Sequence, residues 1–115
     1  MRPISVGKNL VADTLTVLYT VPRQQGAKWY VSYIHNGSGS TKHISLWWYD
    51  KSANVEIAIL SQVSLTAKTY LELNGNAYVL LEEGDEIRAR SEAGSTFSII
   101  VTVEQEYFPA NQHGG

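Results

Sequence analysis

A chain of 115 residues is the size of one domain, with apolar residues at 43% and charged residues at only 17%. At that mass folding takes the accessible surface from about 18,500 to about 6,300 Å², enough burial for one core and not for two. Nine basic against eleven acidic residues argue against nucleic acid as a partner, and the absence of cysteine excludes thiol catalysis, disulfides and thiolate zinc sites. No apolar h-region follows Arg2, and no window approaches the ~20 apolar residues of a membrane span. The sequence therefore predicts a soluble protein with no membrane partner, made in the cytoplasm without a signal peptide.

Met1 to Asp13 is weakly patterned and predicts an N-terminal arm, residues 1–13, outside the domain. Helical periodicity is nearly absent beyond it. Short β-branched and aromatic runs instead recur about every dozen residues between clusters of turn residues. Thr14 to Val21 alternates, with Leu15, Val17, Tyr19 and Val21 on one face, and Pro22 ends the run. Ala27 to His35 and Thr41 to Tyr49 flank Asn36-Gly37-Ser38-Gly39-Ser40, which predicts a hairpin with a five-residue loop. After the loop Asp50 to Asn54, Val55, Ile57 and Ile59 alternate along a further strand, and Ser61 to Lys68 is polar enough for a crossing loop.

Thr69 to Leu73 is short and β-like, closed by Asn74-Gly75-Asn76, and Tyr78 to Leu81 leads into the turn Glu82-Glu83-Gly84-Asp85. Ile87, Ala89 and Ser91 then oppose Glu86, Arg88 and Arg90. Ala93-Gly94-Ser95 turns the chain into Thr96 to Glu104, where Phe97, Ile99, Val101 and Val103 alternate cleanly. The fold class expected is all-β, a two-sheet antiparallel β-sandwich of jelly-roll type with about eight strands. It would occupy residues 14–106, followed by a C-terminal tail at residues 107–115. The predicted core is Leu15, Val17, Tyr19, Val31, Ile44, Leu46, Ile57, Ile59, Leu71, Leu73, Leu80, Ile87, Ala89, Phe97, Ile99 and Val101.

Catalysis needs converging polar groups, and few are offered. His35 and His43 flank the Asn36–Ser40 turn, but two imidazoles need a third ligand such as Asp50 to hold a metal. Glu82, Glu83, Asp85 and Glu86 crowd one turn without the spacing of a calcium loop, a pattern that fits a solvated corner. No nucleophile elbow, phosphate loop or dinucleotide fingerprint occurs. Asn36-Gly37-Ser38 fits the glycosylation pattern but is idle without an export signal. The expectation is a protein that is not an enzyme, with no cofactor and no metal site. An enzyme working through the acidic turn or the His35/His43 pair is the weakest alternative.

The aromatic inventory is more informative. Trp29, Tyr30, Tyr33, Trp47, Trp48 and Tyr49 fall on the two arms of the predicted hairpin. Consecutive strand residues face opposite ways, so one of Trp47 and Trp48, and one of Trp29 and Tyr30, must point away from the core. An outward Trp can stack on a sugar ring or anchor a protein partner. Tyr107 and Phe108, followed by Pro109, are too apolar for a free tail and predict packing on the chain's own sandwich or on a neighbouring subunit. The interface candidates are therefore Trp29, Tyr30, Trp47, Trp48, Tyr107 and Phe108.

Three segments in order carry a resemblance: Thr16-Val17-Leu18-Tyr19-Thr20-Val21-Pro22, then Trp29-Tyr30-Val31-Ser32-Tyr33-Ile34-His35-Asn36 before a Gly/Ser turn, then Ile44-Ser45-Leu46-Trp47-Trp48. Leu80-Leu81-Glu82-Glu83-Gly84-Asp85-Glu86-Ile87 follows, ahead of a predicted final hairpin. Over roughly Leu15 to Val103 this order resembles the small β-sandwich structural proteins encoded in tailed-bacteriophage morphogenesis clusters. These include head decoration (cement) proteins and small tail or collar accessory proteins. Leu81-x-x-Gly84-Asp85-x-Ile87 is also similar to the run before the penultimate strand of jelly-roll trimers of the tumour-necrosis-factor and complement type. The resemblance implies a structural protein of the virion, a capsid decoration protein first and a tail, collar or fibre-associated adaptor next. Its partners would be other virion proteins, and the exposed aromatics imply a homo-oligomer, for which a trimer is a simple closed ring. A carbohydrate-binding receptor-recognition module using exposed Trp and Tyr is the alternative from another class.

Overall fold

The computed structural model of the chain describes residues 2–107, without the side chains of residues 75–77. Eight strands are present: β1 (Arg2–Asn9), β2 (Thr16–Thr20), β3 (Gln25–Asn36), β4 (Lys42–Asp50), β5 (Val55–Leu65), β6 (Tyr70–Leu81), β7 (Glu86–Ser91) and β8 (Phe97–Tyr107). They form two antiparallel four-stranded sheets, β1-β8-β3-β6 and β2-β7-β4-β5. Only the β4–β5 connection returns within its own sheet; every other connection crosses from one sheet to the other. The architecture is an antiparallel β-sandwich with jelly-roll strand order.

The core is where the two inner faces meet. Phe97, Ile99, Val101 and Val103 of β8 and Ile34 of β3 are buried from the first sheet; Ile44, Leu46, Ile87 and Ala89 from the second. Burying each of the larger side chains contributes about 1.5–3 kcal/mol. Tyr19 ties the sheets together at one end, its hydroxyl donating to Gln105 Oε1 at 2.6 Å, and burial raises the pKa of that phenol.

Five sequence expectations are corrected. The hairpin joining Ala27–His35 to Thr41–Tyr49 does not form, because β3 and β4 lie in different sheets; the final hairpin is likewise split between β7 and β8. Arg2–Asn9 is not an arm outside the domain but an edge strand, with Ile4 opposite Val103 and Val6 opposite Val101. Ser61 to Leu65 belongs to β5 rather than to a crossing loop. Residues 69–73 and 78–81 are one strand, interrupted where the pairing jumps from Val31↔Asn74 to Trp29↔Val79. The total of eight strands was expected, but β1 and this merger reach it by a different route.

Bulges reassign part of the core. The register shift between Val17 and Tyr19 turns both Leu18 and Tyr19 inward and leaves Val17 and Leu15 exposed. On β3 the shift between Trp29 and Val31 buries Trp29, Ser32 and Ile34. Leu81 faces inward instead of Leu80, and Ile57 and Ile59 are exposed along the β5 edge.

A buried polar residue pins each end of the sandwich. Asn36 is fully buried; its amide nitrogen faces the carbonyls of Ser40, Leu65 and Thr66, and its oxygen accepts from the Ser38 N–H. An amide so enclosed is no glycan acceptor in the folded protein. At the other end Asp85, 1% exposed, accepts from the Glu82 N–H at 2.9 Å, the Lys51 N–H at 3.1 Å and Trp48 Nε1 at 3.1 Å. Gly84 reaches φ 86° beside it, a conformation that favours glycine, and a Cβ there would meet the flexible Lys51 side chain. Asp85→Ala leaves three N–H donors without their acceptor and is expected to cost about 3 kcal/mol, read as a fall in the urea midpoint. Asp85→Asn is expected to rescue little of it, since it places an NH₂ group among those same donors.

Candidate functional site

The surface is divided by chemistry between the two sheets. Strand alternation turns Tyr33 of β3 and Ile100 of β8 out from the first sheet, directly opposite each other in register and 42% and 44% exposed. Gly7 lies opposite Ile100 on β1, and a Cβ there would touch the Ile100 side chain at 3.6 Å, so the middle of this face is flat. Tyr70, Tyr78 and Leu80 of β6 extend the apolar surface to the sheet edge. Polar groups are set among these residues: Glu72 is opposite Tyr33 and His35 opposite Tyr70, Ser5 bonds Thr102 and Ser98 bonds Asn9 to either side, and Lys28 is opposite Glu104 with its ammonium 4.6 Å from the Tyr78 ring centre.

A second apolar surface follows at the side of the sandwich. β1 and β2 approach each other along one side, whereas β5 and β6 stay further apart along the other. The gap is a cleft of about 410 Å³ whose walls include Trp29, Tyr30, Ile59, Leu73, Tyr78 and Val79. Val55, Ile57 and Ile59 of β5 are exposed beside it.

The outer face of the second sheet is ionic instead. Arg88 binds Glu86 at 2.7 Å and Glu56 at 2.9 Å, with its guanidinium 3.8 Å from the centre of the Tyr49 ring. Arg90 pairs with Asp13 at 2.8 Å, and Glu92 lies between Lys42 and His43. Such exposed pairs add little stability each; they set the polarity of the face.

The six interface candidates separate on these surfaces. Trp29 is only 5% exposed and donates from Nε1 to Ser32 Oγ at 2.9 Å, so it is a core residue and not an interface residue. Tyr30 sits in the β3 bulge and lines the side cleft. Trp48, opposite Ile57, packs against the core and orients Asp85, while Trp47, opposite Ala58, faces out from the second sheet. Tyr107 ends β8 and is 58% exposed. Phe108, with the rest of residues 108–115, lies outside the described residues. Tyr33, Ile100, Tyr70, Tyr78 and Leu80 were missed as surface residues. For Ile100 the signal was present, because inward Ile99 and Val101 require it to point out.

The candidate catalytic sets do not assemble. His35 and His43 belong to different sheets. In the acidic turn, Asp85 is a buried cap, Glu86 pairs with Arg88, and Glu83 accepts from the Gln24 N–H. Among the described residues, no three His, Cys, Asp or Glu side chains are grouped to hold a metal ion.

No protein-family model and no curated protein sequence matches the chain. A solved structure from work describing Bacillus endospore appendages as a novel family of disulfide-linked pili is similar in fold. It has a TM-score of 0.53 at 10% identity, over 93% of this chain and 86% of that one. The likeness is one of fold alone, and this chain has no cysteine with which to make a disulfide link.

The two neighbouring tryptophans should respond oppositely to truncation. Trp48→Ala is expected to destabilise by about 3 kcal/mol, through lost packing and a lost Asp85 partner. Trp47→Ala is expected to stay within about 1 kcal/mol of wild type. Urea denaturation followed by circular dichroism makes the comparison.

Proposed function

We propose that the chain is a non-enzymatic structural subunit of a tailed-phage virion, a capsid decoration protein that self-associates and bridges shell subunits. The observation that carries the self-association is the group of exposed large side chains on the outer face of the first sheet, Tyr33, Ile100, Tyr70, Tyr78 and Leu80, set among Glu72, His35 and Lys28. Exposed tyrosines and an isoleucine interspersed with polar groups have the mixed composition of a protein contact.

The occupant is a second copy of the chain, because the molecule presents exposed large side chains in two different directions. One is the face of the first sheet, and the other is the β5/β6 side with Ile57 and Ile59. The side of one copy against the face of the next is a head-to-tail contact, which closes into a ring when the rotation allows it. A trimer is the ring of fewest copies for such a contact. The virion setting rests on the resemblance of the sequence segments, in their order, to those of phage morphogenesis proteins. The pilus protein of similar fold is also a component of an assembly, by its name, although one linked by disulfides.

Light scattering coupled to size-exclusion chromatography tests the association. Wild type at tens of micromolar is expected to run as a closed oligomer. Ile100→Glu and Tyr33→Glu, which place a carboxylate in the middle of the face, are expected to run as folded monomers with unchanged circular dichroism. A monomeric wild type, or an oligomer indifferent to both substitutions, rejects this use of the face. The decoration role is tested separately, by adding the purified oligomer to capsids lacking it and reading occupancy and capsid heat resistance.

A further inference from the structure

We propose that the outer face of the second sheet carries a binding site for a neutral saccharide, in a cleft of about 490 Å³ on the side of the sandwich away from the first sheet. That volume lies within the ordinary range for small-molecule sites, roughly 300–1,000 Å³. The cleft is lined by Trp47 and His43 of β4, Arg90 and Ser91 of β7, Glu92 beyond it, and Asp13 from the loop after β1.

Three observations converge there. Trp47 is the outward-facing tryptophan, and its cross-strand neighbour on β5 is the small Ala58, so no large side chain stands opposite it on that strand. Trp29 and Trp48 spend their indole N–H groups on Ser32 and Asp85, whereas no bond from Trp47 Nε1 is formed among the described residues. An aromatic plane with a free polar edge suits the C–H face of a sugar ring.

The second observation is an unmet hydrogen-bonding demand. Among the described residues, the buried side-chain polar atoms without a partner are His43 Nδ1 and Ser91 Oγ. Ser91, 2% exposed, turns its side chain to the inner side of β7 opposite Ile44, so of the two only His43, on the same side of β4 as Trp47, stands on the cleft side. Buried polar groups are nearly always satisfied, so the unpartnered His43 Nδ1 beside Trp47 points to a polar occupant.

The third is charge. Arg90 is held by Asp13 at 2.8 Å, and Glu92 lies 3.8 Å from Lys42 and 3.6 Å from His43. The cleft therefore offers fixed donors and acceptors whose charges largely cancel. That balance disfavours a phosphate or carboxylate ligand and suits one bearing several neutral hydroxyls, each able both to donate and to accept. An apolar peptide segment would leave these groups unpaired at a cost.

The test uses the full chain, clustered on streptavidin for avidity, on an array of gluco-, galacto-, manno- and N-acetylhexosamine oligosaccharides. Hits are then titrated in solution by tryptophan fluorescence and by NMR. At least one neutral oligosaccharide is expected to bind, and Trp47→Ala and Arg90→Ala are each expected to weaken it tenfold or more without moving the melting temperature. Ile100→Glu is expected to leave the solution affinity unchanged, which separates this site from the association face. The inference is overturned if no array member binds, if binding survives Trp47→Ala, or if only anionic glycans bind. Capture of a protein partner through Trp47 with no glycan bound also overturns it.

Discussion

The carboxylate of Asp85 is the constraint on which one end of the sandwich depends. A jelly roll crosses repeatedly between its sheets, so its turns must be fixed relative to one another by something other than ladder hydrogen bonds. Asp85 supplies this by accepting from its own turn at Glu82, from the β4–β5 turn at Lys51 and from the Trp48 indole. The backbone around it bonds Val21 in both directions, which adds the end of β2 to the same knot. Three connections thereby meet at Asp85, two through its side chain and the third through the backbone of residues 84 and 85, and Gly84 beside it provides the positive φ. Asn36 does the corresponding work at the opposite end with a neutral amide, spanning carbonyls of the β3–β4 and β5–β6 connections.

This arrangement explains what the sequence discloses and what it hides. The Gly84-Asp85 turn and the alternation of Phe97 to Val103 are local, and both stand in the structure, although Asp85 is buried rather than part of a solvated corner. The partner of each strand is not local. Asn36-Gly37-Ser38-Gly39-Ser40 announces a reversal, but a reversal into the same sheet and a crossing to the other use the same residue types. The crossing is held by long-range bonds, from Asn36 to residues 65, 66 and 69 and from Gly37 to Thr96, and nothing near Asn36 in sequence foretells them. Bulges hide the rest. One extra residue at Leu18 reverses the phase of β2, so a correct strand yields an incorrect burial assignment for Val17. The weak alternation of Arg2 to Asn9 has its own cause, since an edge strand packs mainly against one neighbour and carries little of the core.

Splitting the first aromatic cluster between two sheets also changes its meaning. Six aromatics on one hairpin would form a single sticky surface. Placed on β3 and β4 in different sheets, they take separate tasks. Trp29 and Trp48 fill the interior, Tyr33 faces out from the first sheet, Tyr49 supports Arg88, and Trp47 stands by the polar cleft. One face of the sandwich thus carries exposed tyrosines and Ile100 among polar groups, and the opposite face is ionic. A subunit that associates through the first keeps the second free to meet solvent or a ligand.

The edges decide which kind of association the fold permits. An open sheet edge invites another strand to add by backbone hydrogen bonds, the route to filaments and aggregation. Each of the four edge strands here is spoiled for that purpose. β1 carries Pro3 and Lys8, and β2 is short and bulged. β5 is shifted twice against β4 and bends at Gln62, where φ is 49° and the N–H is held by Ser45 Oγ. β6 is broken in register between Asn74 and Val79. Continuous strand addition therefore has no regular template on either sheet. An association of copies as proposed would then use side chains on faces and corners, where shape and apolar area set the partner and its number. A closed ring of copies satisfies that condition without exposing a new edge, whereas an unbounded filament built by strand pairing does not.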